Sequence, residues 1–337
     1  VRFRVRPRAV IACVTGSIAL LLLMALNIRI GDIPMSLGEV LRGVVEGDFV
    51  VMELRLPRAL TGALVGAALA MAGGITQSIA RNPLASPEIL GVTTGASVTV
   101  VAGIVASGSV YGGASGLLLS LGIPVLALLG GLLGAALVYS LAWRRGLDGY
   151  RLVLVGIGVA AVFTNVKYWL LTVGDVNDTT RAMVWISGSL HGRGWEHVLP
   201  VFLALAALVP VALAATRALD ALRFADDTAM SLGVRLNPAR AGMILLAVGL
   251  AAVATASAGP IAFVALASPQ IALRLTGSGR PPLLTSAIVG AVLVAAADLI
   301  ARTAFAPVEL PVGIVTAVLG APYLIYLLIR MRRGTRT

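Results

Sequence analysis

Charge is scarce in this chain of 337 residues: 12% of them are Asp, Glu, Lys or Arg, against 58% hydrophobic, with a mean hydropathy of +0.98. A water-soluble domain has nowhere to put that much apolar surface, so the chain sits in lipid. Cysteine occurs once, at Cys13 in the first apolar run, which excludes a disulfide framework and leaves an inert, lipid-facing thiol as the expectation. Lysine also occurs once, at Lys167. Its neighbour is Val166, so there is no Gly-Lys-Ser/Thr phosphate loop, and any ATPase must come from a partner. The two histidines, His191 and His197, lie six residues apart without a cysteine or carboxylate at ligand spacing. They form no recognisable metal site and read as surface residues. With no His-Glu-x-x-His motif and no nucleophile and base pair, neither an enzyme nor a cofactor site is expected.

What the chain has in abundance is apolar sequence. The runs are Ala9 to Leu26, Ala59 to Ala80, Pro87 to Ala106, Leu117 to Ala142, Leu152 to Val173, Val198 to Thr216, Ala239 to Ser257, Pro260 to Leu275, Leu283 to Ala304 and Val312 to Ile329. They predict about ten spans of the ~17 to 25 residues that cross a bilayer. Backbone amides in lipid must be satisfied within the segment, and these runs are too long and continuous for barrel strands. The expected fold is an all-α membrane protein forming one transmembrane domain over residues 1–337. The net charge of +11 could point to nucleic acid, but its distribution does not. With the N-terminus in the cytosol, eighteen of the 26 basic residues fall inside and eight outside, as the positive-inside rule requires. Both termini are thus expected in the cytosol, with an uncleaved first span.

A weak internal repeat runs through the spans. Arg55-Leu56-Pro57-Arg58 precedes a Gly- and Ala-rich run and then Ala85-Ser86-Pro87-Glu88-Ile89; Arg235-Leu236-Asn237-Pro238-Ala239-Arg240 precedes another and then Ala267-Ser268-Pro269-Gln270-Ile271. The separation from Arg58 to Ala85 equals that from Arg240 to Ala267, at 27 residues. The copies begin with spans two and seven and therefore point in opposite directions, an inverted repeat of spans 2–5 (about 55–175) and 7–10 (about 235–330). Such repeats mark transporters, with helix breaks at matching positions flagging the pathway. Gly73, Gly74, Pro83 and Pro87 are the expected breaks in the first copy, and Gly259, Pro260 and Pro269 in the second; ordinary kinks are the alternative. Gly62, Gly66, Ala70 and Gly74, four apart, form a face for close helix packing.

These residues, together with Asp298-Leu299-Ile300-Ala301-Arg302 and Glu309-Leu310-Pro311-Val312-Gly313 continuing to Pro322, resemble the permease subunits of binding-protein-dependent ABC importers for iron siderophores, haem and cobalamin. The resemblance covers Arg55 to Arg330. It implies ten spans per subunit, two permease subunits around a central pathway, two cytosolic ATP-binding subunits and an extracytoplasmic binding protein, all at a bacterial inner membrane. A pairing with a second, related permease is favoured over a homodimer. By the same resemblance Arg55, Arg58 and Arg302 receive carboxylates of the binding protein, where headgroup anchoring is the alternative.

On the cytosolic side the polar segment of about 217–240 would couple to the ATPase through Asp226, Asp227, Ala229, Ser231, Leu232 and Gly233, as a short helix that Gly233 ends. Asp298, four residues before Arg302, is expected to pair with it along the helix. Asn165, Lys167, Tyr168 and Trp169 of span five lie toward the outer interface, where water satisfies them. The segment Val184 to His197 looks like that of ferric siderophore permeases, catecholate types in particular; haem and cobalamin remain open. An ion-coupled carrier is the rival class, but it needs buried ionisable groups, and this chain offers little beyond Asp298.

Overall fold

The computed structural model describes residues 7–31, 35–108, 115–144, 149–222, 226–231, 233 and 235–334. All regular structure in them is helical: α1 (Pro7–Arg29), α2 (Leu37–Glu46), α3 (Leu56–Ala80), α4 (Val92–Gly108), α5 (Ser115–Ala142), α6 (Gly149–Val173), α7 (Val176–Ile186), α8 (Trp195–Ala214), α9 (Thr216–Ala221), α10 (Asp226–Ser231), α11 (Leu236–Ala258), α12 (Val264–Thr276), α13 (Leu283–Thr303) and α14 (Val312–Gly334). A π-helical turn, Val50–Arg55, leads into α3, and a 3-10 turn, Pro87–Leu90, leads into α4. The ten expected apolar runs all become helices. Among the described residues, seven helices are long and apolar enough to cross a bilayer, and Val92–Ala106 and Val312–Leu327 form shorter apolar helices.

The run Pro260 to Leu275 departs from expectation. Its helix, α12, has 13 residues and rises about 20 Å, short of the ~30 Å hydrocarbon core. The cause is local: Gly259 takes φ 73° and Phe263 takes φ 66°, so α11 stops and α12 cannot begin before Val264. The irregular backbone between them is tolerated because it is packed in protein, with Gly259 and Ile261 buried.

Small residues set the packing. α3 runs antiparallel to α13, with Gly62 facing Val294, Gly66 facing the Gly290 backbone and Gly74 facing Leu283. α4 meets α5 the same way, through Gly91 against Val138 and Gly95 against the Gly130 and Gly134 backbones. The face of Gly62, Gly66 and Gly74 is thus a packing seam, as its spacing predicts. The first helix of each repeat packs on the third helix of the other, α3 on α13 and α11 on α5, while α3 and α11 touch at the centre. Around them lies the main core, including Met71, Ile75, Leu190 and Leu250.

Three expected breaks are not breaks. Gly73 and Gly74 lie inside the uninterrupted α3, and Pro269 lies inside α12. Leaving a helix inside the bilayer strands backbone polar groups, so glycine here serves close approach instead. Pro83, Pro87, Gly259 and Pro260 do fall at helix interruptions. The repeat itself diverges at this point: Pro87–Leu90 is a 3-10 turn, whereas the matching Pro269 to Ala272 is α-helical.

Candidate functional site

At the N-terminal end of α3, Arg55 and Arg302 meet the end of α1. Arg55 Nη1 donates to the carbonyl of Ile28 at 2.8 Å, and Arg302 donates to those of Ile30 and Asn27 at 2.9 and 2.8 Å. Both therefore cap carbonyls left over at a helix C-terminus, where positive charge is favoured. Arg302 also reaches Asn27 Oδ1 at 2.7 Å, and Asn27 Nδ2 reaches the Ala295 carbonyl at 2.9 Å, which closes a polar ring between α1 and α13.

Arg58 holds the centre. Its Nη2 lies 2.8 Å from Asp298 Oδ1 and its Nη1 3.0 Å from Glu309 Oε2, with side chains 13%, 2% and 33% exposed. Asp298 and Arg302, expected as partners along one helix, approach only to 3.7 Å; the closer partner of Asp298 comes from α3. Glu309 also accepts from His191 at 2.9 Å. Burial alone would push the Glu309 carboxyl up, but the hydrogen bond from His191 and the charge of Arg58 outweigh it and hold the group below its ordinary range. The three expected docking arginines are thus one cluster, each with partners inside the chain.

In the C-terminal third of α3, Gly73 and Gly74 come together with Pro269 and Ala265 of the second copy, although neither helix is broken there. Gly73 sits against the carbonyl of Ala265, and Gly74 within van der Waals reach of Pro269. Pro269 has no N–H to give the carbonyl four residues back, which is that of Ala265. The freed carbonyl leans on the Gly73 backbone, a close approach of the Cα–H to oxygen kind. One turn further on, Gln270 Nε2 donates to Gln77 Oε1 at 2.7 Å and Gln77 Nε2 to the Leu266 carbonyl at 3.0 Å. Beside this pair opens a cavity of about 360 Å³ lined by Gln77, Arg81, Asn82, Pro83, Gln270 and Pro281 among others.

The C-terminal end of α3 meets the polar connection between α8 and α11. Arg81, with φ 49°, ends α3 and donates through Nε to the Leu222 carbonyl at 2.9 Å. Arg280, in the turn between α12 and α13, pairs with Asp220 of α9. The expected short helix is present as α10, and Gly233 follows in the left-handed conformation at φ 80°, its N–H returning to the Met230 carbonyl. Asp227 and Ser231 are exposed and Ala229 is buried; Leu232 lies outside the described residues. The contacts of Arg81 and Arg280, one from each repeat, are what the sequence does not show, because Leu222 and Asp220 lie far from them along the chain.

His197 corrects a further expectation. It is 9% exposed, at the start of α8, with Nε2 2.9 Å from Arg193 Nη1, whereas His191 is a surface residue. No group of three or more metal-ligating side chains occurs among the described residues. Asn165, Tyr168 and Trp169 lie exposed on α6, with Lys167 Nζ 5.0 Å from the Tyr168 ring centre.

The chain is similar in sequence and fold to known proteins. The profile of the FecCD transport family matches residues 19–330. The chain is 39% identical to the ferric enterobactin transport system permease protein FepG of Escherichia coli (strain K12), over 98% of either protein. It is also 39% identical to the iron(3+)-hydroxamate import system permease protein FhuG of Bacillus subtilis (strain 168), over 96% of this chain and 98% of that one. A solved chain described as an inward-facing conformation of a transporter of the metal-chelate ABC type superposes with a TM-score of 0.81 at 28% identity, covering 95% of this chain and 99% of the other. The chain therefore belongs to the FecCD transport family, as a multi-pass permease subunit of an ABC importer.

Proposed function

We propose that this subunit passes a ferric catecholate siderophore into the bacterial cytosol, paired with a second, related permease. An extracytoplasmic binding protein delivers the chelate to the Arg55, Arg58 and Arg302 end. Two ATPase subunits act at the opposite end, on the segment of about 217–240 through Asp226, Asp227, Ala229, Ser231, Leu232 and Gly233. Both chain termini lie on the ATPase side, in keeping with the excess of arginine there. One observation carries the reading: α3 is a single unbroken helix with the arginine cluster at its start and Arg81, bonded to the Leu222 carbonyl beside the coupling segment, at its end. Its 25 residues rise about 37 Å, so a push at one end is felt at the other.

Substrate class rests on the Val184 to His197 segment and on the full-length similarity to the enterobactin permease. The deciding experiment is uptake of radiolabelled ferric enterobactin, ferric hydroxamate and ferric citrate. Cells lack the chain, carry it, or carry it beside an ATPase with a disabled phosphate loop. Catecholate uptake that requires both the chain and ATP hydrolysis is expected. Preference for a hydroxamate or citrate chelate would overturn the substrate, and uptake that ignores the ATPase but follows the proton gradient would overturn the importer.

The coupling reading makes its own prediction. Arg280 and Asp220 are 44% and 41% exposed, and ion pairs that wet are worth ~0–1 kcal/mol. Asp220→Ala should therefore leave the assembled complex as heat-stable as before. It should nevertheless lower siderophore transported per ATP hydrolysed by roughly two- to fivefold, since ~0.4–1 kcal/mol corresponds to such factors. The exchange of both charges, Asp220→Arg with Arg280→Asp, should restore the ratio. An unchanged ratio in the single variant removes the pair from the coupling path.

A further inference from the structure

The helix α2 has three faces, and only one of them is used by the protein. At about 100° per residue, Leu37, Leu41, Val44 and Val45 share one arc, Glu39, Arg42 and Glu46 share the opposite arc, and Val40 with Gly43 lies between them. Val40 and Gly43 are buried, with Gly43 against Val51, and Val40 joins Ile28, Val51 and Ala59 in a small core. The charged arc is exposed, as is proper for a face in water. The apolar arc is exposed as well: Leu41 by 68% and Val45 by 86%, with Phe49 just beyond the helix at 67%.

The position of α2 in the chain says what covers that arc. It connects the end of α1 to the start of α3, two helices long and apolar enough to span the bilayer, and so it lies at the level where they leave the hydrocarbon. α1 presents its own exposed apolar residues, Leu21 and Leu22 among them, on the way to that level. The helix is also built to keep its orientation. Ser36 Oγ accepts from the Glu39 amide while Glu39 accepts from the Ser36 amide, and Gly47 closes the far end in the left-handed conformation. A ten-residue helix with one apolar arc, one charged arc and both ends capped matches a helix lying in the plane of a membrane interface.

We infer that α2 is an interfacial anchor whose Leu37, Leu41, Val44 and Val45 face enters the lipid leaflet at the Arg58 end of the bundle. The anchor sets the height of the stretch that follows. Gly43 holds Val51 of the π-helical turn, Trp195 Nε1 donates to the Met52 carbonyl at 3.0 Å, and the turn delivers Arg55 and Arg58.

Nitroxide labels test this in the full permease assembled with its ATPase in lipid nanodiscs. Cys13→Ser removes the native thiol and keeps a hydroxyl within reach of Thr285, which lies 3.3 Å from the Cys13 sulfur. Leu41→Cys and Val45→Cys place labels on the apolar arc, and Glu39→Cys and Glu46→Cys on the charged one; Val44→Cys serves if a label at 41 or 45 prevents assembly. Collision with dissolved oxygen should exceed collision with a water-soluble nickel chelate on the apolar arc, and the order should reverse on the charged arc. Nickel reaching both arcs equally would place the helix in water. Exclusion of both reagents from the apolar arc would assign the face to a protein partner, the binding protein or second permease. Either result overturns the lipid anchor.

Discussion

Gly73→Ala should remove most transport, although it adds a single methyl group. The carbonyl of Ala265 already occupies the space a Cβ would need, and both groups are backbone, so no side-chain tip can swing aside. α3 cannot back away either, because Gly66 holds it against the Gly290 backbone about two turns earlier. Overpacking of this kind costs ~1–3 kcal/mol even where side chains can adjust, and Gly73→Val should abolish accumulation of the protein in the membrane. Gly242→Ala and Gly158→Ala are the controls. Their Cβ atoms would meet nothing within 4 Å, and replacing a helical glycine by alanine is neutral or favourable by ~0.5–1 kcal/mol. Immunoblots of membranes with parallel siderophore uptake check all four. Wild-type uptake in Gly73→Ala would show that α3 and α12 are not in the contact described.

The second large effect belongs to Asp298. Its carboxylate is almost wholly buried and balances Arg58, itself mostly buried, with Arg302 beside it. Breaking a buried ion pair by removing one partner typically costs ~3–5 kcal/mol, because the other charge is stranded. Asp298→Ala should therefore lower the thermal midpoint of the purified complex more than any single change at the exposed His191. Asp298→Ala with Arg58→Ala should cost less than the sum of the two alone, by at least ~1 kcal/mol. Additive losses would mean that the pair is not coupled. The cycle also separates the two roles given to Arg58. Part of the lost stability returns in the double variant, whereas capture of the binding protein, if it needs the guanidinium, does not.

Much of this was legible in the sequence. Hydropathy is a property of composition, so all ten apolar helices could be placed from their runs, and the short helix before Gly233 followed from a polar stretch and a glycine. The failures share a cause, which is that local spacing does not contain tertiary partners. Asp298 and Arg302 do pair along their helix, at 3.7 Å, but spacing gives no sign of Arg58, 240 residues away in sequence, which presents two N–H groups to the other carboxylate oxygen. Gly73 and Gly74 resemble a hinge only until a second helix is seen to need their missing side chains. The shortness of α12 was hidden because Phe263 in a left-handed conformation leaves no mark on hydropathy, and His197 was hidden because its burial depends on where α8 starts.

The exchange of helices between the repeats has a consequence for what the chain is. Since α3 packs on α13 and α11 on α5, neither half completes its own core, and neither would be a domain if cut free. The molecule is in effect a swapped pair whose members have been spliced end to end through residues 176–234. Two separate halves would have to find each other in the membrane. Tethering raises their local concentration to about the millimolar range, and assembly becomes a folding step instead of an encounter.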